Sequence, residues 1–204
     1  RRVAILFADV SGHGLAAAMV TALLKVSFET WITERWSLEG FAVRLNHQLC
    51  SLTPDESFAA AFIGIYDVSG GELDYVNCGH SPMPRLVSGN GNGAPPVASL
   101  SEGNTMLLGI IERRDFTTAR ATLQPGDTLT FVTDGITEAE GGVGDRYGEE
   151  RMDRLLASGR TAPPTALIQD LMVDLRSFVD GVEQEDDLTV LAMRVRSVPD
   201  PSTA

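Results

Sequence analysis

Three aspartates lie at the ends of strongly apolar stretches in this sequence. Asp9 ends the run AILFA, Asp134 ends TLTFVT, and Asp186 opens DDLTVLAM. An unpaired carboxylate beside a hydrophobic core is costly, and converging carboxylates repel each other unless a cation joins them. Mg²⁺ and Mn²⁺ take oxygen ligands from such acids. The pattern predicts a divalent cation site, although each aspartate alone is also typical of a turn and their spacing does not show that they meet.

The other residues that could perform chemistry form no recognisable site. Histidines and cysteines are scattered along the chain, at His13, His47, Cys50, Cys78 and His80. No spacing among them suits a zinc ion. Neither a GxxxxGK[ST] phosphate loop nor a GxSxG nucleophile turn is present. Ser11 and His13 are too close in sequence to favour a nucleophile–base pair, so the aspartates are the strongest candidates.

The composition is that of a globular domain whose partners are not nucleic acids. Hydrophobic residues make up 43% of the 204 residues, charged residues make up 22%, and the formal net charge is −12. This acidic balance argues against nucleic acids and anionic membrane surfaces. The most apolar run, residues 15–24, is too short to span a bilayer, so no membrane segment is predicted. Two cysteines and no recognisable signal peptide predict a reducing, cytoplasmic location.

Hydrophobic periodicity predicts the elements that would position the aspartates. The predicted order is strand, two helices, about six strands, two helices and a last strand. The segments are 3–8, 15–36, 38–52, 58–68, 73–79, 83–87, 115–123, 128–135, 147–157, 164–179 and 186–195. Strands joined by tight turns indicate antiparallel sheets. The predicted fold is α/β of the α+β kind: a four-layer αββα sandwich with two antiparallel sheets packed face to face and helices outside.

The helix predicted at 15–36 carries an apolar face formed by Leu15, Met19, Ala22, Leu23 and Val26. Their helical spacing predicts that this face packs in the core. The same helix supports a different hypothesis, in which the chain is a homodimer with regulation as its main task. A chain that stays monomeric at high concentration would contradict that hypothesis.

Five stretches in order give the sequence a wider resemblance: ADVSGHGLAAAM, NCGHSPMPRL, LLGI, LQPGDTLTFVTDGITEA and EDDLTVLAMRV. Together they resemble the PPM-type (protein phosphatase 2C-like) metal-dependent serine/threonine phosphatases, and more closely the bacterial SpoIIE/RsbU branch. The resemblance covers nearly the whole chain and implies the same four-layer sandwich. It implies one phosphatase domain over residues 1–197, followed by a disordered tail at 198–204.

The resemblance also assigns metal ligands. Asp9 matches an acid that bridges two Mg²⁺ or Mn²⁺ ions, and Val10 matches a position whose backbone carbonyl binds the second ion. Asp134 and Asp186 match the remaining ligands of the first ion. The family's second ion also needs an acid on an earlier strand, and the sequence given starts after that point. Two ions are therefore expected, with the second site incomplete within these residues.

Residues near these ligands receive weaker assignments from the same resemblance. Asp187 and Glu138 are offered as outer-shell residues of the metal site. His13 is offered as a residue that positions substrate or acts as an acid, with a structural role as its alternative.

The function that the resemblance implies is hydrolysis of phosphoserine or phosphothreonine in a protein by a metal-activated water. The expected substrate is an anti-sigma-factor antagonist or a similar bacterial phosphoprotein, with a receiver or sensor domain before residue 1 in the full-length protein. The alternative is a catalytically weak or inactive domain that serves as a regulatory binding module, which the missing acid motivates. Metal-dependent turnover distinguishes the two.

Overall fold

Two sheets and five helices account for the secondary structure of the residues that the computed structural model describes. These residues are 1–34, 36–54, 56–89, 95–112, 114–142, 144–182 and 186–196. They belong to two compact units, of which the first is Arg1–His80 with Ser101–Thr122, and the second is Ser81–Leu100 with Leu123–Ala204. The predicted disordered tail at 198–204 lies outside the described residues.

The first unit is a sheet built on a long edge strand. Its elements are β1 (Arg2–Val10), α1 (Gly14–Glu34), α2 (Leu38–Leu52), β2 (Ala59–Asp67), β3 (Glu72–Cys78), β6 (Asn104–Thr105) and β7 (Ala119–Thr122). The order is β1-β2-β3, with β6 and β7 both paired to β3. All pairs are antiparallel except β3 with β6, which is parallel. In the register of β1 with β2, Asp9 lies opposite Ala60 and Val10 lies opposite Ala59, which places Asp9 next to the last residue of the strand.

The helices of the first unit bury a face of α1 that differs from the predicted one. The buried residues of α1 are Val20, Leu24, Ser27 and Trp31, whereas Leu15, Met19 and Val26 are exposed. The core prediction for that face was therefore wrong. The first half of α1 has apolar or small residues on every side, so its own sequence does not determine which side is buried. Contacts made by the second half of the helix determine it. Trp31 stacks on Phe41 of α2 with ring centroids 4.4 Å apart, and Ser27 Oγ donates to Gln48 Oε1 at 2.8 Å.

The second unit is a four-stranded sheet with two amphipathic helices. Its elements are β4 (Arg85–Val87), β5 (Val97–Ser99), β8 (Thr128–Val132), α3 (Asp134–Thr137), α4 (Glu149–Ser158), α5 (Pro164–Val179) and β9 (Val190–Arg194). The sheet order is β5-β4-β8-β9 and every pair is antiparallel. Buried leucines from α4 and α5, namely Leu156, Leu167, Leu171 and Leu175, form its core with residues of β8 and α3. β8 is buried at all five positions, and Asp134 follows its end after one intervening residue, Thr133.

The α+β class with two mainly antiparallel sheets is confirmed. The bounds of α2 and α5 agree with the sequence prediction, while the short strands β5 and β6 were not predicted. The strand predicted through residue 135 was wrong at its end, because the helix α3 begins at Asp134.

Candidate metal centre

Asp134 and Asp186 lie at neighbouring ends of β8 and β9 in the second unit. The two strands are antiparallel with Val132 opposite Val190, so the chain leaving β8 lies beside the chain entering β9. The N–H of Thr133 extends this ladder by donating to Thr189 O at 3.1 Å. Sheet register therefore brings together two aspartates that are 52 positions apart in the sequence.

Gly135 allows the two segments to approach each other closely. A Cβ atom at this position would lie 2.6 Å from the Asp187 carbonyl oxygen and 3.3 Å from Asp186 Cβ. The first distance is far below van der Waals contact, so no side chain fits while the turn at 186–187 keeps its place. Glycine is therefore required at position 135, because the Asp187 backbone lies where a side chain would be. This requirement arises from the β8–β9 register.

The carboxylate of Asp134 is in an environment that disfavours its negative charge. One oxygen, Oδ1, is buried and has no hydrogen-bond partner among the residues that the structure describes. Burial raises the pKa of Asp134 above its usual value, and the charges of Asp186 and Glu138 raise it further, while the Gly135 N–H opposes the shift. A divalent cation would reverse both unfavourable effects. It would give the buried Oδ1 a partner to bind, and its positive charge would offset the repulsion between Asp134 and the neighbouring carboxylates. The residues present therefore fit a hard cation with oxygen ligands.

Thr133 connects the two segments through its side chain, a role that sequence reasoning missed. Its Oγ1 donates to Asp187 O at 2.8 Å and accepts from the N–H of Thr189 at 2.9 Å. On the other side of the turn, Asp186 Oδ1 accepts from the N–H of Asp187 at 2.8 Å. The only signal in the sequence was a threonine preceding a strand-end aspartate, and its partners depend on the strand pairing.

Replacing Thr133 by Val is expected to destabilise the fold by about 1–3 kcal/mol, because two partly buried hydrogen bonds between its hydroxyl and the backbone are lost. This corresponds to a fall in Tm of roughly 2–4 °C per kcal/mol for a chain of this size. Thr130→Val is the matched control: Thr130 is also a buried β8 threonine, but its Oγ1 finds no hydrogen-bond partner in the described part of the chain. Thermal unfolding should show a loss for Thr133→Val and no loss for Thr130→Val. Equal effects would contradict the assigned role of Thr133.

Asp9 lies in the first unit, at the end of β1, next to a tight turn. After Val10, the Ser11 N–H donates to Phe58 O at 3.0 Å, and Ser11 Oγ accepts from the Phe58 N–H at 2.9 Å. Gly12 and Gly14 both have φ of +76° with open space around them. Glycine is needed here for its backbone conformation and not for lack of room. The turn thus redirects the chain from β1 into α1 directly after Asp9 and Val10.

The remaining candidates have varied surroundings. Glu138 is exposed and forms an ion pair with Arg146 at 3.1 Å, and its charge acts on Asp134. Asp187 contributes its carbonyl to Thr133, and its side chain is exposed. His13 is exposed in the turn. His80, in contrast, is buried edge-on against Phe7, at 5.1 Å between ring centroids, and its backbone N–H donates to Asn77 Oδ1.

Within either unit, the described part of the chain gathers no group of three or more His, Cys, Asp or Glu side chains that could hold a metal ion. In the second unit the acidic centre thus consists of Asp134 and Asp186, with Glu138 acting at longer range. The aspartate at the end of β1 belongs to the other unit.

Two curated proteins are similar to this sequence over two thirds of its length. The chain is 29% identical over 136 residues to protein IcfG of Synechocystis, covering 67% of this chain and 20% of IcfG. It is 28% identical over 142 residues to the phosphoserine phosphatase RsbP of Bacillus subtilis, covering 67% of this chain and 34% of RsbP. The chain therefore corresponds to only part of each of these longer proteins.

Solved structures show the same fold. The RsbU and RsbW domains of Rv1364c from Mycobacterium tuberculosis match with a TM-score of 0.79 and 25% identity, over 96% of this chain and 53% of that one. RsbX in complex with magnesium matches with a TM-score of 0.66 and 18% identity, over 94% of this chain and 80% of that one. The second likeness, at that identity, concerns the fold alone.

The family assignment depends on the length of the matched segment. Residues 1–196 match the sequence profile of the family described as stage II sporulation protein E (SpoIIE). This segment contains both sheets, all five helices and the strand-end aspartates described above. The chain belongs to the SpoIIE family of PP2C-like domains.

Proposed function

We propose that this chain is a metal-dependent protein phosphatase that hydrolyses phosphoserine or phosphothreonine in bacterial signalling. The observation that carries the proposal is the pair Asp134 and Asp186, whose surroundings favour a bound cation over two bare carboxylates. Membership of the SpoIIE family and the likeness to RsbP, a phosphoserine phosphatase, support the reaction class.

The acidic charge of the chain gives the cation a second purpose. A phosphate monoester is a dianion near neutral pH, and the chain has a formal net charge of −12. Carboxylates alone would repel such a substrate from this site. A bound cation makes the centre attractive to phosphate, so substrate binding as well as hydrolysis should depend on metal.

Each residue of the proposed metal centre would have a defined role. Asp134 and Asp186 would hold one Mg²⁺ or Mn²⁺ ion together with Asp9, and the family resemblance implies that Asp9 and the Val10 carbonyl would serve a second ion. When bound, the metal supplies Lewis-acid stabilisation of phosphate oxygens and lowers the pKa of a bound water. Thr133 keeps the 186–189 turn beside Asp134, which preserves the separation of the two carboxylates. Glu138 adds negative charge that strengthens cation binding from a distance.

The substrate class that we propose is a small regulatory phosphoprotein, such as an anti-sigma-factor antagonist, acted on in the cytoplasm. The relatives RsbP and RsbU are both phosphoserine phosphatases, and the Rv1364c structure joins an RsbU domain to an RsbW domain. Because those relatives are longer than this chain, we also propose that a sensor or receiver domain accompanies it in the full-length protein.

A second candidate function is a regulatory binding module with little or no activity. It is favoured by the observation that neither unit, over its described residues, assembles three metal-holding side chains by itself. This candidate predicts binding of a phosphoprotein that persists in EDTA and is not followed by release of phosphate.

The deciding experiment measures phosphate release from a phosphoserine-containing protein and from p-nitrophenyl phosphate, with Mn²⁺, with Mg²⁺ and with EDTA. We expect release with a divalent ion and none in EDTA, and Asp186→Asn should lose the metal-dependent rate. Asp170→Asn, an exposed aspartate on α5, serves as the control and should retain it. No release under any condition, with phosphoprotein binding intact, would establish the binding module instead.

A further inference from the structure

An exposed arginine, Arg146, is joined to the candidate metal centre through one carboxylate. Its Nη1 forms an ion pair with Glu138 Oε1 at 3.1 Å. Glu138 follows Asp134 by four residues, its N–H donates to Asp134 O at 2.7 Å, and its charge acts on the Asp134 carboxyl group. Residues four apart lie on the same side of a helical turn. The guanidinium group of Arg146 therefore lies beside the acids of the centre, within the second unit.

The backbone on either side of Arg146 is fixed by hydrogen bonds. The N–H of Gly141 donates to Asp145 O at 2.8 Å. The N–H of Tyr147 donates to Ala139 O at 2.9 Å. The Tyr147 side chain is 3% exposed and packs in the core of the second unit, which anchors this turn. A ligand that binds the Arg146 side chain would therefore not have to order the backbone that carries it.

The ion pair between Arg146 and Glu138 is not what holds this turn in place. The side chain of Arg146 is 61% exposed and that of Glu138 is 57% exposed. Exposed ion pairs contribute little to stability, because water screens the charges and both side chains lose rotational freedom. The guanidinium group can therefore change partner without unfolding the turn.

Two other arginines of the second unit have the surroundings of structural residues. The side chain of Arg85 is 3% exposed and contacts the carboxylates of Glu149 and Asp153. Arg151 donates to both carboxylate oxygens of Asp174, at 2.8 and 3.0 Å. These two guanidinium groups hold elements together, whereas the one beside the metal centre projects into solvent.

The chemistry of a guanidinium group suits a phosphate. Its N–H donors form a planar fork that matches two phosphate oxygens, and it stays charged at every physiological pH. The neighbouring side chains of the centre are carboxylates, and the chain has a formal net charge of −12. Arg146 thus offers an attractive contact that lies outside the proposed set of metal ligands.

We infer that Arg146 binds the phosphoryl oxygens of the substrate, and that the substrate displaces Glu138 from its guanidinium group. This inference rests on the proposed phosphatase function and adds a substrate-binding residue to it. In the free chain, the Glu138 carboxylate occupies the place that the phosphate takes in the complex. Glu138 therefore competes with the substrate for Arg146.

Calorimetric titration with inorganic phosphate, at saturating Mg²⁺, tests this exchange. Arg146→Ala should weaken phosphate binding by roughly 10–100-fold, the effect of losing hydrogen bonds between charged groups. Arg146→Lys should recover only part of that loss, because an ammonium group lacks the planar fork. Glu138→Gln should tighten phosphate binding, because it removes the competing charge.

Arg154→Ala is the matched control. Arg154 is also an exposed arginine of the second unit, at 73%, and it pairs with Glu150 on α4 at 3.8 Å. Its loss should leave phosphate binding unchanged. All four variants should keep the circular dichroism spectrum and Tm of the wild type, because exposed ion pairs contribute little to stability. Equal phosphate binding by wild type and Arg146→Ala, or equal weakening by Arg146→Ala and Arg154→Ala, would overturn the inference.

Two further measurements separate the role of Arg146 from the proposed activity. Arg146→Ala should bind Mn²⁺ at least as tightly as the wild type, because it removes a positive charge and no proposed ligand. With p-nitrophenyl phosphate it should raise KM more than it lowers kcat, as expected for a contact made in both the ground state and the transition state. A chain that binds phosphate through Arg146 but hydrolyses no substrate would contradict the phosphatase activity and support the role of Arg146. If Arg146→Ala weakens binding of an acidic phosphopeptide but not of inorganic phosphate, Arg146 contacts the acidic neighbours instead and the inference is wrong.

Discussion

Asp134→Asn should have opposite effects on activity and on the stability of the metal-free chain. Loss of a ligand from the proposed centre should reduce metal-dependent phosphate release by at least ~100-fold, the upper end of what even outer-shell changes cost. Without metal, the same change removes a carboxylate whose pKa is raised by burial and by Asp186. The metal-free variant should therefore unfold at a higher temperature than the wild type at neutral pH.

The pH dependence of this stability difference follows from the direction of the shift. Because the folded pKa of Asp134 is raised, the unfolded chain loses its proton first as pH rises above the ordinary value of 3.8. Wild-type stability from this group is therefore full below 3.8, falls as pH rises towards the folded pKa, and is constant above it. Asparagine does not titrate, so in EDTA the advantage of Asp134→Asn should vanish in acid.

Adding Mn²⁺ should reverse the order of the two proteins. A ligand that binds only the folded state stabilises it by about 2.7 kcal/mol at a concentration of 100 Kd. The wild type and the Asp170→Asn control should gain this stability, whereas Asp134→Asn should gain little. If all three proteins respond equally to Mn²⁺, the cation binds elsewhere.

Gly135→Ala should damage the centre without removing any charged group. The new methyl group would lie 2.6 Å from the Asp187 carbonyl oxygen, so the 186–187 turn must move away from Asp134. We expect a loss of about 1–3 kcal/mol in stability from the overpacking. Metal-dependent activity should fall by roughly 10–100-fold, as for other changes that disturb the support of metal ligands.

Gly142→Ala is the matched control for this substitution. Gly142 is also in the second unit, its φ is not in the left-handed region, and an added Cβ would have no atom within 4 Å. Its activity and Tm should stay close to those of the wild type. If Gly135→Ala behaves like Gly142→Ala, then the spacing of Asp134 and Asp186 is not important for activity.

Local pattern was sufficient to predict much of the fold. α2 and α5 have clear polar and apolar faces, and a proline marks the start of α5, so their bounds were predicted correctly. The orientation of α1 was predicted wrongly because its first half is apolar or small on all sides. Trp31 and Ser27 decide which face is buried, through contacts with residues of α2 that no periodicity in α1 reveals.

The residues of the candidate site also fall into those that local sequence predicted and those that it did not. Asp134 and Asp186 were visible in the sequence because each adjoins a conspicuous apolar strand. Thr133 and Gly135 were not recognised as supporting residues, because their importance arises from the β8–β9 register. That register brings the 186–189 turn within hydrogen-bond distance of Thr133 and within van der Waals distance of Gly135. Such contacts can be inferred only once the two strands are known to be neighbours.

Direct measurement of Mn²⁺ binding tests the central claim, that Asp134 and Asp186 hold the divalent cation. The electron paramagnetic resonance signal of free Mn²⁺ should decrease when wild-type chain or Asp170→Asn is added in excess. It should decrease far less when Asp134→Asn or Asp186→Asn is added at the same concentration. Equal binding of Mn²⁺ by all four proteins, or binding by none, would contradict the account.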